Sequence, residues 1–117
     1  MAFTKKGQTF HRESNQRRAL LKSLARSLVL EESISTTEAK AKALRPFIER
    51  LVSYAKTNTL ATRHLTQTRL GDAEAVKKLF DSIGPRYKER AGGYTRVVKR
   101  TKRGTNDARK LAYIAFV

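Results

Sequence analysis

A chain of 117 residues holds one modest core rather than two, and its 26 Lys and Arg against 10 Asp and Glu leave a net charge of +16. A fold with that charge repels itself until something anionic binds, and nucleic acid, which rewards each neutralising cation through counterion release, is the leading partner. The lack of cysteine excludes disulfides and thiolate metal sites; the lack of Trp, of a lipidation motif and of any apolar run near the ~20 residues of a spanning helix argues against a membrane surface.

Residues 1–13 have neither helical nor strand period and are rich in Lys, Gly, Gln and Thr. They read as an extended basic tail that orders on a partner, with Lys5, Lys6, His11 and Arg12 as its RNA contacts. No apolar segment accompanies these cations, so the start does not read as a secretory signal. Residues 14–117 read as a single α+β domain.

Ser14 or Asn15 is the expected N-cap of a first helix over 14–30. Leu20, Leu21, Leu24 and Leu28 share one face of it, while Arg18, Lys22 and Arg26 recur every fourth residue on nearly the opposite face and form a stripe of one sign suited to phosphates. Around 31–35 a brief strand is possible. Thr36 or Thr37 then caps a second helix, with Glu38 in its first turn where the macrodipole favours an acid. Leu44, Phe47, Ile48, Leu51, Val52 and Ala55 make it the core helix, and Pro46 predicts a kink within it rather than a new segment.

Thr59 caps a third helix that Gly71 ends, with Leu60, Ala61 and Leu65 as a thin apolar side and Arg63, His64 and Arg69 as a basic surface. A metal role for His64 is not expected, because only His11 could join it. Asp72 caps a fourth helix whose Val76, Leu79, Phe80 and Ile83 face the core. Gly84 reads as its C-cap and Pro85 as the residue that cannot continue it. Gly92 and Gly93 then permit a turn and close approach of backbone to another molecule. Arg86, Tyr87, Lys88, Arg90, Tyr94 and Arg96 stand around them, so guanidinium groups and phenol rings are interleaved beside exposed backbone, a combination that suits phosphates, sugars and bases.

Runs 94–100 and 110–117 have strand composition, and the polar segment 101–108 between them predicts a hairpin with a mobile basic loop. Arg100, Lys102 and Arg103 add cations there, and the almost wholly apolar second run should be the more buried. No nucleophile with its base, carboxylate cluster or phosphate loop is evident: Glu31, Glu32, Glu49, Asp72, Glu74 and Asp81 are scattered over helices and caps. The chain therefore reads as no enzyme, with no cofactor, metal or small-molecule substrate.

Several spaced motifs carry a further signal: Arg12-Glu13-Ser14 leading to Arg17-Arg18-Ala19-Leu20, Thr36-Thr37 leading to Lys40-Ala41-Lys42 and Leu44-Arg45, Leu79-Phe80, and Gly92-Gly93-Tyr94-Thr95-Arg96. With them the chain resembles the bacterial large-subunit ribosomal protein seventeen family, which has mitochondrial counterparts. The resemblance implies the order α-β-α-α-α-β-β, with a small mixed three-stranded sheet packed on helices and a first strand near 33–36. It implies a structural constituent of the large ribosomal subunit, bound to large-subunit ribosomal RNA near the outer end of the nascent-peptide tunnel, beside other ribosomal proteins, in a cytoplasmic or organellar ribosome. RNA contact at Arg12 and Arg17 is carried over on matching positions. The chain departs from the family's common start, Met-Arg-His, at Met1-Ala2-Phe3, and has Gln16 where a His is common. The rival reading is a free architectural nucleic-acid-binding protein, which would want a recognition helix or a dimer seam.

Overall fold

The computed structural model of the chain describes residues 14–103 and 110–117. The tail read at 1–13, with Lys5, Lys6, His11 and Arg12, lies outside the described residues, as do the loop segment 104–109 and the side chains of Lys102 and Arg103.

Helix α1 (Ser14–Glu31) already includes Ser14 and Asn15, so neither is its cap. Its buried face is formed by Ala25, Leu28 and Val29, with Leu21 and Leu24 packed against the core at its margin. The leucine face is thus turned towards two smaller residues, which let a neighbouring helix come closer than a row of leucines would. Glu32 follows in the left-handed region at φ 69°, its N–H reaching back to the Leu28 carbonyl at 2.6 Å. That reversal starts strand β1 (Ser33–Thr37).

Thr37 caps α2 (Glu38–Thr57), its hydroxyl accepting from the Lys40 N–H at 3.3 Å. Pro46 lies inside one continuous helix rather than opening a new segment, and it deprives the Lys42 carbonyl of its usual partner. Ala41, Leu44, Ile48, Leu51, Val52 and Ala55 are all buried, and α2 packs against α1, α3 and every strand. Helix α3 (Leu60–Leu70) opens on a reciprocal cap: Thr59 Oγ1 accepts from the Thr62 N–H at 3.1 Å and Thr62 Oγ1 from the Thr59 N–H at 2.9 Å. Gly71, at φ 73°, ends it. The apolar side read on this helix is wrong. Leu60 is 75% exposed and Ala61 is exposed, whereas Thr66 and Leu70 are fully buried. Thr66 can enter the core because its hydroxyl donates to the Thr62 carbonyl at 2.8 Å and so leaves no unmet polar group.

Asp72 caps α4 (Ala73–Lys78), accepting from the Glu74 N–H at 3.2 Å. The helical path does not stop at Ile83. It widens to a π segment over Leu79–Ile83 and closes with an α turn, α5 (Gly84–Arg86), so Gly84 is not a C-cap. Its φ of −56° is ordinary right-handed helix. The glycine serves packing instead, because a Cβ there would stand 2.9 Å from the Ala55 Cβ and 3.0 Å from the Ala55 carbonyl oxygen.

Strands β2 (Thr95–Arg103) and β3 (Lys110–Phe116) follow, so β2 takes up residues 101–103 that read as loop. The sheet order is β1-β3-β2. The mixed sheet expected from the resemblance is instead antiparallel throughout. A short connection forces β2 and β3 to be antiparallel, and β1 pairs with the far edge of β3; β1 and β2 run the same way but never touch. Among the residues whose burial is described, the central strand β3 is the more buried, as expected, with Ala112 and Ile114 fully enclosed.

Candidate nucleic-acid interface

The cations that the sequence singles out divide into two groups, those already held by the fold and those that face outward. Arg86 belongs to the first. Its guanidinium donates to both carboxylate oxygens of Glu32, at 2.8 and 3.0 Å, and Lys78 reaches the same carboxylate at 3.2 Å and the Leu30 carbonyl at 2.9 Å. Glu32 also accepts from the Phe116 N–H at 3.2 Å through its backbone carbonyl. One residue therefore ties the end of α1 to α4, α5 and β3. The Arg86 hydrogen bonds, aided by Lys78 and opposed by partial burial, hold the Glu32 carboxyl at about 2, against an ordinary value of 4.5.

A carboxylate whose folded value is depressed contributes stability that is complete above its unfolded value and is lost as pH falls through the folded one. For Glu32 that window runs from about 4.5 down to about 2. Both side chains are 36% exposed, so solvent screens the pair and Glu32→Gln should destabilise the protein by about 1 kcal/mol at neutral pH. The gap between variant and parent should close as pH approaches 2 in urea titrations. A gap that stays constant down that range would show that the loss is not electrostatic.

Tyr94 also turns inward. It is 3% exposed, its ring lies 5.4 Å from that of Tyr87, and its hydroxyl accepts from Lys56 Nζ at 2.8 Å, so it has no face to offer a base. Lys56 donates to the Arg90 carbonyl as well, and Glu49 accepts from both the N–H and the hydroxyl of Thr95, at 2.9 and 2.8 Å. Two side chains of α2 thereby pin the start and end of the segment 90–95. Between the pins, Arg90, Gly92 and Gly93 are exposed. Gly93 takes φ 64°, and a Cβ on either glycine would meet nothing within 4 Å, so the backbone here is open to a neighbour. Arg90 Nε donates to the Gly92 carbonyl at 3.1 Å, and Arg96 is exposed just beyond.

On α1, Arg18 is exposed and Arg17 half-buried, while Lys22 and Arg26 lean on the junction between α3 and α4. Lys22 lies over Gly71, and Arg26 Nε is 4.0 Å from Asp72. Arg63 is similarly engaged, with its guanidinium 4.8 Å from the Phe80 ring centroid and 3.6 Å from Asp81; His64 is exposed and Arg69 half-buried on the same helix. Arg100 is half-buried on the sheet, and Lys102 and Arg103 lie in β2 near its end.

The sequence reading missed Arg45 and Arg50, which are exposed on α2. The helical period that buries Leu44, Ile48 and Leu51 leaves these two on the flanks of that face, Arg45 on one side and Arg50 on the other, and that signal was available. Lys42 shares this side but is taken by Glu38 at 3.1 Å; with Lys99 at 3.6 Å it holds the Glu38 carboxyl below the usual range. Among the described residues no three His, Asp or Glu side chains converge as a metal site, and no helix is long and apolar enough to cross a membrane.

The family model described as Ribosomal protein L17 matches residues 20–117. The chain is similar to the large ribosomal subunit protein bL17 of a Hydrogenobaculum strain, at 51% identity over 112 residues that cover 96% of this chain and 95% of that protein. It is also similar to the protein of the same description from a Sulfurihydrogenibium strain, at 46% identity over 112 residues, 96% of this chain and 93% of that one.

Proposed function

Because the chain belongs to the ribosomal protein L17 family, we propose that it is a structural constituent of the large ribosomal subunit, bound to large-subunit ribosomal RNA near the outer end of the nascent-peptide tunnel. The observation that carries this reading is similarity over nearly the whole chain to proteins described as belonging to that subunit. The net charge of +16 supports it, since a protein enclosed by RNA must neutralise phosphates on several sides. Arg18, Arg45, Arg50, Arg90 and Arg96 are exposed and serve as the phosphate contacts, with the backbone at Gly92 and Gly93 approaching RNA closely. Arg86 and Tyr94 act behind this surface, in holding the segment that carries it. Neighbouring ribosomal proteins are the remaining partners, and no reaction is assigned.

Two kinds of substitution separate charge from shape. Arg90→Ala and Arg96→Ala should each weaken binding to a large-subunit RNA fragment and reduce the log–log salt slope by about 0.7 to 0.9, one phosphate's worth, with the circular dichroism spectrum unchanged. Gly93→Val should weaken binding with little change in slope, because a β-branched side chain disfavours φ 64° and obstructs close approach. A salt slope unaltered in the double arginine variant would remove this segment from the interface. Sedimentation of the tagged protein with the large subunit tests the assembly itself; migration away from the subunit would favour a free architectural nucleic-acid-binding protein.

A further inference from the structure

We infer that the outer face of the sheet is a stacking site for one unpaired RNA nucleotide, its base lying against Tyr113 and Val98 and its phosphate held by Arg96 and Arg100. The inference rests on the RNA-binding reading above and adds a site to it. Ala112 and Ile114 point from β3 into the core and are fully buried, so the alternation of the strand sends Tyr113 to the opposite face, where it is 44% exposed. The register sets Val98 directly beside it on β2 and Ser35 on its other side on β1. Val98 is 49% exposed, so ring and branched side chain form one continuous apolar surface rather than two scattered residues.

Arg100 makes this surface specific. Its Cζ lies 5.1 Å from the Tyr113 ring centroid, and its NH1 donates to Ser35 Oγ at 3.1 Å. The guanidinium therefore crosses from β2 over the ring of β3 and is fastened to β1. Among the described residues it is held by a π face and a hydroxyl and by no carboxylate, so further N–H groups can serve a phosphate. Arg96 is exposed on the same outward face, and Ser33 and Ala115 in its cross-strand row add no acid. A flat apolar patch bordered by guanidinium groups matches a base and its phosphate. A duplex cannot use it, since its bases are already stacked on one another.

The test compares a short single-stranded oligoadenylate with an RNA duplex of equal length, using the full chain. Tyr113→Ala should lower affinity for the oligoadenylate about 5- to 100-fold, with the duplex affinity changed less than about twofold and the salt slope unaltered. Tyr113→Phe, which keeps the ring, should bind like the parent protein. Should Tyr113→Ala fail to fold, Tyr113→Leu keeps apolar bulk on the strand without a ring and should show the same selective loss. Parent protein that bound neither probe would sink the RNA-binding reading itself. Parent protein that bound both, with the ring-less variant unchanged towards oligoadenylate, would overturn the stacking site alone and leave this face to a protein neighbour.

Discussion

Leu51→Ala should lower the unfolding free energy by about 2 to 5 kcal/mol, a large share of what holds a domain of this size together. Leu51 is 1% exposed and sits among Leu44, Ile48 and Val52 on the buried face of α2, the helix against which α1, α3 and the whole sheet are packed. Truncation removes apolar contacts and leaves a cavity that elements fastened on several sides cannot collapse to fill. Urea denaturation read by circular dichroism gives the number directly. A loss below about 1 kcal/mol would mean that the site relaxes freely and that α2 is not the keystone of the packing.

Gly84→Ala should also destabilise, by about 1 to 3 kcal/mol, although helix propensity alone predicts a gain of about 1 kcal/mol. The position is right-handed helix at φ −56° and ψ −53°, so no backbone strain forbids a side chain. Contact does. The new Cβ would stand 2.9 Å from the Ala55 Cβ, 3.0 Å from the Ala55 carbonyl oxygen and 3.1 Å from its carbon. Two of these are backbone atoms of the central helix and cannot swing aside. Adding Ala55→Gly should recover part of the loss, since it removes the first contact and leaves the other two. Gly93→Ala offers the contrast: it meets nothing within 4 Å and should cost only the strain of φ 64°, about 1 kcal/mol. Unfolding of Gly84→Ala at or above the parent's denaturant midpoint would show that α2 and α5 have room to part.

What was legible in the sequence depends on the reach of each interaction. Thr59, Gly71 and Asp72 were read correctly as helix ends, and Thr37 as one of two candidates, because a cap binds backbone within three or four residues of itself. The face of α2 was legible because its apolar residues repeat with the helical period from Leu44 to Ala55, about three turns. Gly84 was misread as a cap because a capping glycine and a packing glycine look alike until the opposing helix is known. Arg86 was read as a phosphate ligand because its partner, Glu32, lies 54 residues away in the chain. Tyr94 was read as an RNA contact, and Lys56, 38 residues earlier, holds it inward. The α3 face failed for another reason: hydropathy ranks leucine above threonine, yet Thr66 with its hydroxyl satisfied by Thr62 is buried and Leu60 is not.

By itself the sequence determined the charge of +16, which no arrangement of the chain can hide, and the order of elements, through caps and periods that act over a few residues. Tertiary structure alone decided the antiparallel sheet with β3 at its centre, the passage of the helix through Gly84, and the sorting of arginines into clasps and outward contacts. Those outcomes depend on which distant residues meet. A guanidinium is clasped only where a carboxylate of another element reaches it, and the packing of α1, α4 and α5 around Glu32 does this for Arg86, while Arg96 and Arg100 stand on the outer face of the sheet.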